Sequence, residues 1–203
     1  MADLDHLEIE HKFIVDDSFD LVAFKKAVID LKPHHQTEVT VRDVYYVPSS
    51  HNPCVLRHRF DRELQQLTMK SIGSGDSEVR TEVNLDLGQR RGDQAAAVVA
   101  FLKPFGILWR GEIEKQVTAF HLPKCEVVHY KAKTTGLSES RSVSCVEFEA
   151  VDCISIAEAL ETINKYEKIL GFAASERSKA SLFELILAPS VPQEVKARLV
   201  GLS

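Results

Sequence analysis

The chain has 203 residues, 44% of them apolar and 27% charged, enough to bury one sizeable core or two very small ones. Asp and Glu total 30 against 25 Lys and Arg, a formal charge of -5, so no overall positive field draws it to nucleic acid or an anionic membrane, and any polyanion site must be built locally. The longest apolar stretches, such as Ala95 to Leu102, fall well short of the roughly 20 residues a membrane span needs, and the acidic opening Met1-Ala2-Asp3-Leu4-Asp5-His6 has no apolar signal core. A soluble, cytoplasmic protein is expected. The cysteines at 54, 125, 145 and 153 form no CxxC pair and read as reduced, mostly buried thiols, and the scattered histidines spell no HExxH zinc motif.

In chain order, Leu7 to Val15 alternates like a strand, and Asp17 to Leu31 carries apolar residues at helical spacing until Lys32-Pro33 ends it. Strand-like segments follow at Thr37–Val47, Cys54–Asp61, Leu64–Ser71, Val79–Leu87, Gly106–His121, Glu126–Lys133 and Ser142–Val151, most separated by Pro, Gly, Ser or Asn. Asp93 to Leu102 reads as a helix capped by Asp93. Ser155-Ile156-Ala157-Glu158 is a capping box opening a helix that ends at Gly171, and Ser181-Leu182-Phe183-Glu184 is a second box. Pro192 and Gly201 bracket a last amphipathic turn or two. One domain is expected over residues 1–203, with a core at about 7–187 and a helical tail at 188–203.

Strand alternation puts Glu8, Glu10 and Lys12 on one face of the first strand, opposite Leu7, Ile9, Phe13 and Val15. It likewise joins Arg57 with Arg59, Arg80 with Glu82 and Asn84, and Glu147 with Glu149. Each stripe alone could be the solvated face of an ordinary antiparallel strand. Eight strands in one antiparallel sheet tend to close, however, and the amphipathic helices can take the apolar face, which leaves the charged face inside. A dry interior is then excluded, because each desolvated ion costs several kcal/mol against a net stability of roughly 5–15 kcal/mol. With Lys70, five glutamates face five basic residues in this lumen, a mixture suited to a polyphosphate and its divalent metal: carboxylates ligate Mg2+ or Mn2+, and Arg and Lys match phosphate oxygens.

The ordered motifs carry a resemblance. Glu8-Ile9-Glu10-His11-Lys12 resembles the ExExK signature of the CYTH superfamily, the triphosphate tunnel metalloenzymes. Asp43-Val44-Tyr45-Tyr46, Leu56-Arg57-His58-Arg59, Leu67-Thr68-Met69-Lys70, Arg80-Thr81-Glu82-Val83-Asn84 and the Glu147-Phe148-Glu149 pair are similar to that family's later motifs in order, as are Leu170-Gly171 and Ser178-Lys179. The resemblance implies an α+β fold, an eight-stranded antiparallel β-barrel with a charged interior and helices outside. It further implies metal-assisted hydrolysis of a triphosphate, with Mg2+ or Mn2+ on Glu8, Glu10, Glu147 and Glu149. Lys12, Arg57, Arg59, Lys70, Arg80 and Lys115 would then hold phosphates, Lys12 and Glu82 acting in catalysis, Glu82 beside the metal or orienting water.

Inorganic triphosphate, thiamine triphosphate and nucleoside triphosphates are the candidate substrates. A class IV-type adenylyl cyclase and a non-catalytic polyphosphate- or nucleotide-binding module are the alternatives. Neither membrane nor long nucleic acid is an expected partner, and the protein is expected to be a monomer or homodimer. Three departures bear on catalysis: Val117 stands where KxR has Arg, a contact that Arg110 could supply; Val128-His129-Tyr130-Lys131 lacks an expected Asp; and Asn84 replaces a glutamate. Gly73-Ser74-Gly75-Asp76 reads as a hairpin connection, Trp109 and Tyr45-Tyr46 as packing residues, and His34-His35 as solvated loop.

Overall fold

The computed structural model describes residues 6–49, 53–72, 79–88 and 92–199. Its strands are β1 (Leu7–Val15), β2 (His35–Pro48), β3 (Cys54–Phe60), β4 (Gln65–Ser71), β5 (Val79–Asp86), β6 (Ile107–Leu122), β7 (Cys125–Thr135), β8 (Ser142–Ala150) and the short β9 (Arg177–Ser178). All neighbours pair antiparallel in the order β5-β4-β3-β2-β6-β7-β8-β1-β9, and β5 pairs back onto β1. Eight strands therefore close into a barrel, and β9 adds to β1 beside the closure. The helices α1 (Leu21–Asp30), α2 (Ala95–Leu102) and α3 (Ile156–Leu170) pack on the outer face of the sheet, and α4 (Gln193–Lys196) follows near the C-terminus. None is long and apolar enough among the described residues to cross a membrane.

Because successive strand side chains alternate, each strand offers the helices an apolar outer stripe. On one side Phe13, Phe120, Val127 and Phe148 pack with Phe24 and Val28 of α1 and Ile163 and Tyr166 of α3. Burying such a side chain contributes about 1.5–3 kcal/mol. On another side Val44, Tyr46 and Leu67 meet Val98 and Leu102 of α2. A third cluster is built on inward positions: Tyr45, Val47, Val55, Ile113 and Tyr130 pack against Leu182, Phe183, Ile186, Leu187, Val191 and Val195 from the C-terminal segment. That segment combines a π-helical turn (Phe183–Leu187), a 3-10 turn (Ala188–Ser190) and α4. Phe183 stands edge-on to the Trp109 indole, with ring centroids 5.9 Å apart. The indole lies over Gly111, where any Cβ would collide with it.

Several local expectations shift. Helix α1 starts at Leu21 behind an Asp20 cap, because Asp16 instead closes a turn by accepting from Ser18 N and Oγ at 2.9 and 2.6 Å. Gln94 holds the cap position of α2, and Asp93 accepts from Ala95 N at 2.8 Å without being the cap. Pro192 is the residue before α4, not its first turn. His35 begins β2, paired with His121, so only His34 precedes the strand. Ser155 caps α3 and Gly171 ends it at φ 81°. The box at Ser181 is reciprocal: Glu184 N donates to Ser181 Oγ (3.2 Å) and Ser181 N donates to Glu184 Oε2 (2.6 Å). The Gly73–Asp76 connection and Gly201 lie outside the described residues.

Candidate active site inside the barrel

Register decides which inward side chains meet. Glu8 lies opposite Arg80, Glu10 opposite Glu149, and Lys12 opposite Glu147. Across the barrel Asp43 lies opposite Arg59, Tyr45 opposite Arg57, and Lys70 opposite Glu82. All of these residues except Asp43, which lies behind Arg59 and Lys115, line a cavity of about 230 Å³. Its wall includes every residue singled out from the sequence: Glu8, Glu10, Lys12, Arg57, Arg59, Lys70, Arg80, Glu82, Lys115, Glu147 and Glu149. Tyr45, Tyr130, Gln66 and Asn84 join them, and Leu182 and Phe183 of the C-terminal segment form part of the wall.

The cations and carboxylates are matched in detail. Lys12 Nζ bridges Glu10 Oε1 (2.9 Å) and Glu147 Oε1 (3.0 Å). Lys70 Nζ pairs with Glu8 Oε1 (2.7 Å) and with Glu82, while Arg80 pairs with Glu10 and lies 3.7 Å from Glu8 Oε2. Arg59 forks onto Asp43 at 2.9 and 3.1 Å, and Lys115 Nζ reaches the same carboxylate at 2.8 Å. Arg57 Nη2 donates to Thr68 Oγ1 at 3.1 Å and meets Glu82 Oε1 at 3.4 Å. Among the described residues Glu149 makes no ion pair.

Charge and burial then set proton affinities. Burial works against the Asp43 carboxylate, but Arg59 and Lys115 outweigh it and hold the carboxyl well below the usual range. Burial pushes the Lys115 ammonium down and Arg59 adds to the effect, leaving it at about 8 although Asp43 offsets part. Burial would raise the Glu82 carboxyl, yet Lys70 and then Arg57 pull it to about 2. Lys12 goes the other way: burial disfavours its charge, but Glu10 and Glu147 keep it firmly protonated. Glu149 is pushed well above the carboxylate range by burial and then by Glu8 and Glu10.

In the acidic corner formed by Glu8, Glu10 and Glu149, Lys70, Lys12 and Arg80 serve the first two, and Glu149 has no ion pair among the described residues. Carboxylate oxygens are the donors a hard divalent cation takes, and Glu8 Oε2 has no hydrogen-bond partner among the described residues, so donor type and charge suit Mg2+ or Mn2+. No three such donors among the described residues surround one point, because Glu8, Glu10 and Glu147 are turned onto Lys70, Lys12 and Arg80. Holding a metal requires these carboxylates to exchange ammonium or guanidinium partners for it.

The departures resolve individually. Val117 faces inward against the interior apolar cluster, so no cation occupies that position. Arg110 does not replace it: its parity on β6 turns it outward, where it pairs with Glu112 at 2.8 Å. Tyr130 points into the cavity and donates its hydroxyl to Glu147 Oε1 at 2.7 Å, while His129 faces out to Ser144 (3.2 Å). Asn84 Nδ2 donates to Glu82 Oε1 (2.9 Å) and its Oδ1 accepts from Thr68 Oγ1 (2.7 Å), so it orients Glu82 where a glutamate would repel it. Asp43, fully buried, is the site residue whose role the sequence reading missed; its signal was its parity with Tyr45 on β2. Tyr45 lines the cavity as well as packing, and Tyr46 and Trp109 pack.

Comparison with known proteins adds to this geometry. Among curated proteins no sequence matches the chain. Among solved structures, a conserved hypothetical protein from Pyrococcus furiosus is similar at 26% identity and TM-score 0.63, covering 88% of this chain and 99% of its own. A protein from Pyrococcus horikoshii has 22% identity with the same TM-score and coverage. A putative adenylyl cyclase from Hippeastrum, described as having a dominant triphosphatase activity, shares the fold at 14% identity and TM-score 0.56, covering 94% of this chain and 99% of its own. The profile of the CYTH domain matches residues 6–166, all eight strands of the closed barrel and the first 11 residues of α3, and so the chain belongs to the CYTH domain family.

Proposed function

We propose that the protein is a divalent-metal-dependent hydrolase that releases orthophosphate from a small triphosphate: inorganic triphosphate, thiamine triphosphate or a nucleoside triphosphate. One observation carries the reading: six basic side chains and five glutamates converge on a single cavity inside the barrel. The activity described for the Hippeastrum relative supports it. The enclosed cavity, walled in part by Leu182 and Phe183, suits a small molecule better than a long nucleic acid. A cytoplasmic setting fits the reduced thiols read from the sequence.

Lys12, Arg57, Arg59, Lys70, Arg80 and Lys115 bind the phosphate oxygens, Arg through its planar fork and Lys as a point charge. Glu8, Glu10, Glu147 and Glu149 would hold Mg2+ or Mn2+, which supplies charge neutralisation and polarisation of the phosphoryl oxygens when bound. Glu82 orients the attacking water. At rest its proton affinity is held low by Lys70 and Arg57, and as those cations turn to the phosphates its affinity rises toward that of a competent proton acceptor. Lys12, kept protonated between Glu10 and Glu147, donates to the oxygen that gains charge as the anhydride bond breaks.

Phosphorus NMR of the purified protein with each candidate triphosphate and Mg2+ or Mn2+ tests this directly. Orthophosphate should appear with at least one substrate. Pyrophosphate with a cyclic nucleotide would assign cyclisation instead, binding without turnover would assign a binding module, and neither binding nor turnover across the panel rejects the reading.

A further inference from the structure

The strand that carries Glu8, Glu10 and Lys12 is weakly laddered on one side. Toward β5 it pairs only through Leu7–Thr81, Glu8–Arg80 and Ile9–Val79, and beyond that its neighbour is β9, through Lys12–Ser178 and Phe13–Arg177. Glu10 and His11 span the gap between those two short ladders. On the outer face of that gap sits a buried polar network. His11 is 1% and Glu167 2% exposed. The ring Nδ1–H of His11 donates to Glu167 Oε1 at 2.6 Å, because a carboxylate only accepts, and Arg177 Nη2 donates to Glu167 Oε2 at 2.5 Å and also to Asn164 Oδ1.

Stability alone does not account for this network. Glu167 projects from the face of α3 whose other buried residues are Ala159, Ile163 and Tyr166. Ile163 and Tyr166 on that face belong to a cluster with Phe13, Phe148 and Phe172, a setting in which apolar side chains would pack readily. Burying a carboxylate is costly, and replacing a buried ionic group together with its partner by apolar residues is often neutral or stabilising. What the network does achieve is geometric: one carboxylate joins α3, β1 and β9 at the residue between Glu10 and Lys12. Because strand side chains alternate, anchoring His11 outward aims Glu10 and Lys12 into the cavity.

We propose that His11, Glu167 and Arg177 are positioning residues, a brace that holds β1 where its ladder lapses so that Glu10 and Lys12 meet the substrate. The catalytic part of this inference rests on the triphosphatase reading above. The H11L/E167L double variant replaces the histidine and carboxylate by apolar side chains but leaves the Arg177 guanidinium, which keeps Asn164 and is partly exposed, so it should still fold cooperatively with a moderately lowered thermal midpoint. Its kcat should fall about tenfold or more, with a smaller change in KM, since small misplacements of reacting groups are costly.

E167Q can donate to the other His11 tautomer and accept from Arg177, so it should retain kcat within about threefold. Amide hydrogen exchange at Glu10–Phe13 should accelerate in the double variant while exchange in β6 is unchanged. Wild-type kcat, or unaltered exchange at those amides, in a folded H11L/E167L overturns the brace. Should that variant fail to fold, R177M decides, since the Arg177 side chain is 17% exposed and its loss leaves His11–Glu167 in place. Slower turnover and faster β1 exchange are expected, and wild-type values for both overturn the proposal. If the wild-type protein turns over no triphosphate, the function reading fails, while the exchange measurement still judges the brace.

Discussion

Two walls of the barrel differ in how they hold charge. On the β2–β6 wall the ladder runs unbroken from His35–His121 to Val47–Trp109, and the buried Asp43 is satisfied by a forked Arg59 and by Lys115. On the β1 wall the ladder is interrupted on the β5 and β9 side, and Glu8, Glu10 and Glu149 crowd together, Glu149 with no ion pair among the described residues. The first wall resembles a finished structural network, in which charge supports the fold. The second leaves one carboxyl group, that of Glu149, without an ion pair among the described residues. Loss of the Asp43 charge on the β2–β6 wall should therefore cost chiefly stability, and loss of a glutamate charge on the β1 wall chiefly function.

The largest expected effect falls on the β1 wall. Glu10→Gln or Glu147→Gln should lower kcat by at least about a hundredfold, the scale on which preorganised charge contributes to catalysis, with the fold intact by circular dichroism. Loss of folding in step with loss of activity would erase the contrast. On the other wall Asp43→Asn leaves Arg59 and Lys115 without their buried counter-ion. It should destabilise the protein by about 3 kcal/mol in urea unfolding, the scale of a broken buried pair. A cost near zero would show that solvent already reaches this network.

Lys115 sharpens the comparison through pH. Its ammonium sits at about 8 against an ordinary 10.5. Between those values the unfolded chain binds more protons than the native one, so this group makes the protein more stable as pH rises through the window. A bound polyanion favours the charged form, so triphosphate binding near pH 8 to 9 should take up protons. Calorimetry in buffers of different ionisation enthalpy would measure this, and Lys115→Met should remove most of the uptake. The smallest effect belongs to Arg110, which lies outside on β6 and is about half exposed. Arg110→Ala should leave turnover unchanged and stability within about 0.5 kcal/mol.

Much of this site was legible because a strand reports its two faces every second residue. Glu8, Glu10 and Lys12, or Arg57 and Arg59, could be assigned to a common face without coordinates, and the need to keep so many ions wet or liganded argued for a hollow barrel. The same parity places Asp43 inward with Tyr45 and Arg110 outward with Glu112. Other features have no local signal. His11 and Glu167 are 156 residues apart and meet only because α3 packs across β1. The apolar part of the interior is closed by residues 182–199, whose sequence reads as an ordinary short helical end.

Local chemistry in the chain thus determined the strands, their charged and apolar faces, most helix limits and the residues offered to a ligand, because alternation and capping depend on near neighbours. Tertiary structure decided which carboxylate meets which cation, where the ladder lapses, and what fills the apolar part of the interior. Those outcomes depend on register and closure between distant segments, where a shift of a single residue would turn every inward side chain to the opposite face.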